Sequence, residues 1–144
     1  MKSKIKLDSD ILGLDLGLKR TGVARINLIA KIAEPLPPIL MGETNLVVKV
    51  QELIAQHNAC AVVVGLPRGL NGQETEQTIW AIKITKELED SLEEPVFSID
   101  EALTTKFAED RANSGESVDS VAAGILLEDF VGEVMLGRIE NVTI

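Results

Sequence analysis

Eight consecutive residues in the middle of the chain, Ala59-Cys60-Ala61-Val62-Val63-Val64-Gly65-Leu66, carry no charged or amide side chain. The run is far shorter than the roughly 18 apolar residues of a membrane span, and it reads as a central strand covered on both faces. Such a strand needs helices above and below it, which points to an α/β fold. At 144 residues the chain is close to the ~100–150 residues at which single domains are most common. One domain over residues 1–144 is expected, and a two-lobed enzyme is excluded on length.

The segments on either side agree with this. Ile11–Gly17 reads as a buried strand, with Ile11, Leu12, Leu14 and Leu16 interrupted by Gly13, Asp15 and Gly17. After a turn at Leu18–Lys19, Thr21–Leu28 reads as a second strand. A third, around Lys31–Leu40, contains Pro35, Pro37 and Pro38, which suits an edge strand or its exit. Three strands with short links imply an antiparallel meander. Thr44 reads as the cap of a helix carrying Leu46, Val47, Val50, Leu53 and Ile54, and a longer helix spans Gln73–Glu94. A strand follows from Pro95 to about Asp100, then a short helix over Thr104–Asn113. A last helix covers Val118–Met135, with Ser117 as its expected cap. This order predicts a mixed sheet with helices on both faces.

Only 3% of residues are aromatic, so the core must consist of Leu, Ile, Val and Ala, and base-stacking platforms are not expected. Net charge is −9, unevenly spread. Residues 1–70 hold nine basic and six acidic side chains; residues 71–144 hold five and seventeen. A polyanion would therefore meet the first half, unless metal ions neutralise acids in the second. Cys60 is the only cysteine, which excludes a disulfide within the chain and a cysteine-based zinc site. Met1–Asp10 has no apolar stretch and does not read as a secretory signal, so a cytoplasmic location is expected.

Asp15 is the most informative residue. A carboxylate in an apolar strand is costly unless it is paired or bound to a cation. Gly13, Asp15 and Gly17 share one face by alternation, and the two glycines would leave space beside the acid for an ion or a phosphate. An amide-capping turn residue is the alternative role. Lys19 and Arg20 follow at once and bring cations to the strand exit. Asp100-Glu101 ends a later strand; adjacent residues point to opposite faces, so only one of the two can face a site. Asp100 is expected to bind loop amides, which leaves Glu101 as the functional acid. Asp119 falls in the first turn of the last helix, where it also suits the helix dipole.

Three acids on three elements are a means of holding hard divalent cations, Mg²⁺ or Mn²⁺, as one or two ions. Such a pair supports phosphodiester cleavage without a side-chain nucleophile. None is evident, since Cys60 reads as a core thiol and His57 as a surface residue. Gly65-Leu66-Pro67-Arg68-Gly69-Leu70-Asn71-Gly72 is a glycine-rich loop in which Arg68 adds a fork-shaped phosphate donor. A plain tight turn is the alternative, and the loop lacks the Gly-Lys-Ser/Thr ending of a Walker A sequence.

Four segments, in order, resemble the YqgF family, also called RuvX, of the ribonuclease H-like superfamily. They are Gly13-Leu14-Asp15-Leu16-Gly17 with Lys19-Arg20-Thr21-Gly22-Val23-Ala24, then Val64-Gly65-Leu66-Pro67 with Asn71-Gly72. Asp100-Glu101-Ala102-Leu103-Thr104-Thr105 and Asp119-Ser120-Val121-Ala122-Ala123 with Ile125-Leu126-Leu127-Glu128 complete the set. The match covers about residues 11–131, leaving short extensions at each end. The resemblance implies a ribonuclease H-like mixed five-stranded sheet, with a meander plus parallel strands, flanked by helices. It also implies a metal-binding catalytic cluster of Asp15, Glu101 and Asp119. Members are regarded as metal-dependent nucleases that mature the 5′ end of pre-16S rRNA in ribosome biogenesis, and were earlier proposed as Holliday junction resolvases.

The expected substrate is thus structured RNA, held by Lys19, Arg20 and Arg68, or else branched DNA. A non-catalytic nucleic-acid or protein-binding module of the same fold is the reading from a different class. A monomer or weak homodimer with no membrane partner is expected. Two positions depart from the family pattern: Ala102 stands where an arginine is usual, and the segment Arg111–Val118 is short and acidic. Both remove positive charge and imply weaker or altered nucleic-acid binding.

Overall fold

In this computed structural model, which describes residues 3–5, 8–69, 71–101, 118–138 and 142–143, the central apolar run is a strand over Ala59–Pro67. Its side chains alternate as a doubly covered strand requires: Val62, Val64 and Leu66 enter one buried cluster, Ala61 and Val63 another. In chain order the described elements are β1 (Ser3–Lys4), β2 (Asp10–Asp15), β3 (Arg20–Ile26), β4 (Glu34–Leu40), α1 (Leu46–His57) and β5 (Ala59–Pro67). They continue with α2 (Glu76–Ser91), β6 (Val96–Glu101), α3 (Val118–Met135) and β7 (Val142–Thr143).

The main sheet has five strands in the order β4-β3-β2-β5-β6. β2 pairs antiparallel with β3, and β3 with β4, giving the expected meander. β5 lies parallel to β2 on one side and to β6 on the other. In the two terminal extensions, β1 and β7 pair with each other in parallel as a separate two-stranded sheet. The predicted helix over Thr104–Asn113, the cap at Ser117 and the departure at Ala102 lie outside the described residues.

Helices cover both faces. α1 and α2 pack on the side of Leu12, Leu14, Val62 and Val64, where Val50, Leu53, Ala81 and Leu88 complete a core. α3 covers the other face, meeting Ile11, Ala24, Ala61 and Val63 with Ala123, Leu127, Phe130 and Val134. Phe97 of β6 stacks at a tilt on Phe130, with ring centroids 5.4 Å apart. Ten consecutive helical residues from Ser120 contain eight buried ones, Ser120–Leu127, so α3 is a helix enclosed on most sides rather than an amphipathic cover.

Local chemistry moves some boundaries. α1 is capped by Asn45, whose Oδ1 accepts from the Val48 amide at 3.2 Å. The neighbouring Thr44 hydroxyl, the expected cap, instead donates to the Leu40 carbonyl. α2 begins after Thr75 because Thr75 and Thr78 form a reciprocal capping box, and it is therefore shorter than Gln73–Glu94. β2 ends at Asp15, since Gly17 already belongs to the turn into β3. At the opposite end of the sheet Arg25 crosses three strands, bonding Asp10 Oδ2 at 2.9 Å and Glu34 Oε2 at 2.7 and 3.0 Å.

Candidate active site

β2, β5 and β6 run parallel, so their C-terminal ends lie along one edge of the sheet. The register aligns Asp15 with Gly65, and Gly65 with Ile99. Residues aligned in this way share a face, and Ile99 packs with the core beneath α3. Glu101 closes β6 two positions beyond Ile99, so the backbone assigns position 101 to the face of Asp15. The Glu101 side chain itself lies outside the described residues. Asp100 is aligned with Leu66, which packs on the α1–α2 side. The pair is thus divided between faces as alternation demands.

Asp119 reaches the same edge from the helix layer. Asp15 is paired across the β2–β3 ladder with Gly22, and the backbone of Asp119 lies directly against Gly22. A Cβ at position 22 would coincide with the Asp119 carbonyl, so only glycine lets the first turn of α3 come down onto β3 here. One residue on, the buried Ser120 Oγ accepts a hydrogen bond of 3.1 Å from the Val23 amide, at the place where β3–β4 pairing is irregular. Gly22 and Ser120 thereby fasten the helix end next to Asp15.

This geometry corrects one expectation. The glycines flanking Asp15 do not leave empty space for an ion. The space beside Gly13 is filled by the Leu127 side chain and the Ala123 carbonyl of α3, and Gly17 sits against the Arg20 carbonyl in its turn. The glycines serve close packing, and the small residues that matter for it are on the sheet as well as on the helix.

The basic residues divide into two groups. Lys19 lies in the exposed β2–β3 turn, where its carbonyl accepts from the Met41 amide at 2.9 Å. Arg20 opens β3, and its Nε stands 3.5 Å from Asp119 Oδ2, with the Arg20 side chain exposed and that of Asp119 partly so. These two cations border the Asp15–Asp119 edge. Arg68 is held elsewhere: its Nε donates to Asp100 Oδ1 at 3.0 Å, its Nη2 lies 2.9 Å from the same oxygen, and its Nη1 lies 3.4 Å from Glu74 Oε1. The hydrogen bond to Asp100, foremost, raises the Arg68 pKa further above its ordinary value. Asp100 therefore binds this guanidinium, where the sequence led us to expect loop amides.

Among the described residues no group of three His, Cys, Asp or Glu side chains forms a metal-ligating cluster. Asp15 and the backbone of Asp119 both lie against Gly22 at one edge, and the register puts position 101 on the same face. A set of carboxylate donors suits a hard divalent cation. Sequence reasoning did not single out Gly22, Ser120 or the Arg68–Asp100 pair. A glycine inside the strand segment Thr21-Gly22-Val23 is a signal of close backbone approach. Nothing in the sequence marks Ser120 as a partner of a strand amide.

Comparison with known proteins agrees with this architecture. A family model described as "RuvX: Holliday junction resolvase" matches residues 9–133. A Rickettsia bellii protein named "Putative pre-16S rRNA nuclease" is 32% identical over 136 residues, covering 88% of each chain. Proteins of the same name from Orientia tsutsugamushi and Thiobacillus denitrificans are 36% and 38% identical, covering 85% and 83% of this chain and 83% and 89% of theirs. Among solved structures, Thermus thermophilus RuvC in complex with a Holliday junction substrate superposes with a TM-score of 0.61 at 13% identity, covering 90% of this chain and 97% of that one. That likeness establishes a shared ribonuclease H-like fold. By its match along most of its length, the chain belongs to the RuvX (YqgF) family.

Proposed function

We propose that this protein is a divalent-cation-dependent nuclease that hydrolyses phosphodiester bonds in structured RNA, in 5′-end processing of pre-16S rRNA. The observation that carries the reading is the Gly22 contact, which sets Asp119 beside Asp15 at the sheet edge where β6 ends with Glu101. Three carboxylates from a strand end, a second strand end and a helix start are the chemistry a nuclease of this family needs. The curated relatives named for pre-16S rRNA support the choice of substrate.

In this reading Asp15, Glu101 and Asp119 hold Mg²⁺ or Mn²⁺, as one or two ions. When bound, such an ion polarises a phosphoryl oxygen and lowers the pKa of a coordinated water. The chain's own residues supply the rest. Lys19 and Arg20, exposed beside the acids, bind the phosphodiester backbone electrostatically and carry no base information. Arg20 also offsets the charge of Asp119, which keeps two neighbouring carboxylates compatible before substrate arrives. Ser120 and Gly22 fix the start of α3, so Asp119 is positioned by packing. No helix among the described residues is long and apolar enough to cross a membrane. A pre-rRNA substrate places the work in the cytoplasm, by a monomer or weak homodimer.

The family description and the RuvC-like fold favour one second reading, cleavage of branched DNA. A junction resolvase cuts two strands symmetrically and acts as a dimer. Labelled pre-16S 5′ leader RNA and a four-way DNA junction, each offered with Mn²⁺ under single-turnover conditions, separate the two. Cutting of the RNA alone by a monomer supports our proposal. Cutting of the junction alone by a dimer overturns it in favour of the resolvase.

A further inference from the structure

We propose that Arg68 is a positioning residue, which together with Asp100 fixes the end of β6 that carries Glu101 and does not itself bind substrate. This inference rests on the nuclease reading. The parallel β5–β6 ladder ends with the rungs Leu66–Asp100 and Pro67–Glu101. Pro67 has no N–H with which to extend the ladder. Immediately after it, the Arg68 side chain turns back across the ladder, and two of its nitrogens converge on Asp100 Oδ1. A side-chain contact thus fastens the strand end where backbone pairing stops.

The arginine is itself anchored. Its side chain is 21% exposed, against 65% for Asp100 and 58% for Glu74. Glu74 immediately precedes Thr75, the cap of α2. The Thr78 hydroxyl of that cap donates to the Pro67 carbonyl, and the Gly69 amide donates to the Gln73 carbonyl at 2.8 Å. Pro67 and Gly69 are therefore tied to the start of α2, and Arg68 joins them to β6. Three of the guanidinium's nitrogens already face carboxylates, in a planar arrangement that a lysine cannot reproduce. A phosphate would have to compete with the two carboxylates that already pair with this guanidinium.

The two roles of Arg68 predict opposite behaviour for Asp100, which is on the other face of the sheet from Asp15 and need not touch substrate. If Arg68 positions, Asp100→Asn and Arg68→Ala each lower kcat on the RNA leader with Mn²⁺ by about tenfold to a hundredfold, as small misplacements of catalytic groups do. KM stays within about twofold, the double variant is no worse than either single one, and Arg68→Lys restores little. Mn²⁺ affinity falls in step, read by titration without RNA. Unfolding midpoints change little, because Asp100 is well exposed and its ion pair is screened by solvent. If Arg68 is instead a substrate contact, Asp100→Asn releases it. KM for that variant then falls or holds with kcat unchanged, Arg68→Ala raises KM, and Arg68→Lys keeps most of the binding; that pattern overturns the inference while leaving the nuclease reading intact. Absence of Mn²⁺-dependent cutting by the wild type overturns both.

Discussion

The carbonyl of Asp119 rests against the α-carbon of Gly22, and Gly22 is the cross-strand partner of Asp15. One glycine therefore decides how near two acids from different layers of the fold come to each other. Gly22→Ala would place a methyl group on a backbone carbonyl that cannot swing aside as a side chain would. We expect a loss of about 1–3 kcal/mol of stability, typical of an overpacked core, measured by urea unfolding. We also expect cleavage to fall more than stability alone accounts for, because relief of the clash moves Asp119 away from Asp15. Unchanged Mn²⁺ binding and cleavage in a folded Gly22→Ala protein would show that this contact is not what assembles the site.

Ser120→Ala tests the second fastening. The Val23 amide would lose its acceptor in a fully buried place. A stranded buried donor costs about 1–3 kcal/mol. The same figure is expected in the unfolding free energy, with a smaller loss for Ser120→Thr, which keeps the hydroxyl. Equal stability of Ser120→Ala and wild type would mean that the amide finds another partner.

Burial, and after it the charges of Glu128 and Glu133, hold the Asp129 carboxyl above its ordinary pKa. An acid whose pKa is raised on folding binds its proton more tightly in the folded state. Its ionised form therefore costs stability at neutral pH, and the cost disappears as pH falls below the unfolded value. Asp129→Asn should raise the stability at pH 7 by a few tenths of a kcal/mol, the scale of partly exposed charge interactions. The gain should shrink towards zero near pH 3–4, below which the wild-type carboxyl is protonated in both states. Thermal unfolding of both proteins across pH 3–8 measures it, and a difference that grows towards acid would reverse the assignment.

The layers and the succession of elements along the chain were legible because they follow from hydrophobic pattern. The unbroken run at Ala59–Leu66 demanded cover on both faces, and the prolines at Pro35, Pro37 and Pro38 marked β4 as an edge. As candidates, Asp15 and Asp119 stood out on different grounds, one being a charge in an apolar strand and the other a first-turn helix residue. What could not be read was which groups meet across the sequence. Gly13 and Gly17 suggest open space in one dimension, and only the approach of α3 shows that Leu127 fills it. Arg68 has the composition of a phosphate ligand, while its actual partners, Glu74 and Asp100, are set by the β5–β6 register and the start of α2. The caps at Asn45 and Thr75 displaced their neighbours because each geometry admits one acceptor, a choice that several adjacent polar residues leave open.

The most direct test of the account is cleavage of a labelled pre-16S 5′ leader by wild type and by Asp15→Asn, with Mn²⁺ and with EDTA, alongside Mn²⁺ titration of both proteins. The account predicts cutting by the wild type with Mn²⁺ only, loss of at least about a hundredfold in Asp15→Asn, in line with removing a group that acts on the transition state, and weakened Mn²⁺ binding in the variant. Cutting that persists in Asp15→Asn, or that survives EDTA, would contradict it.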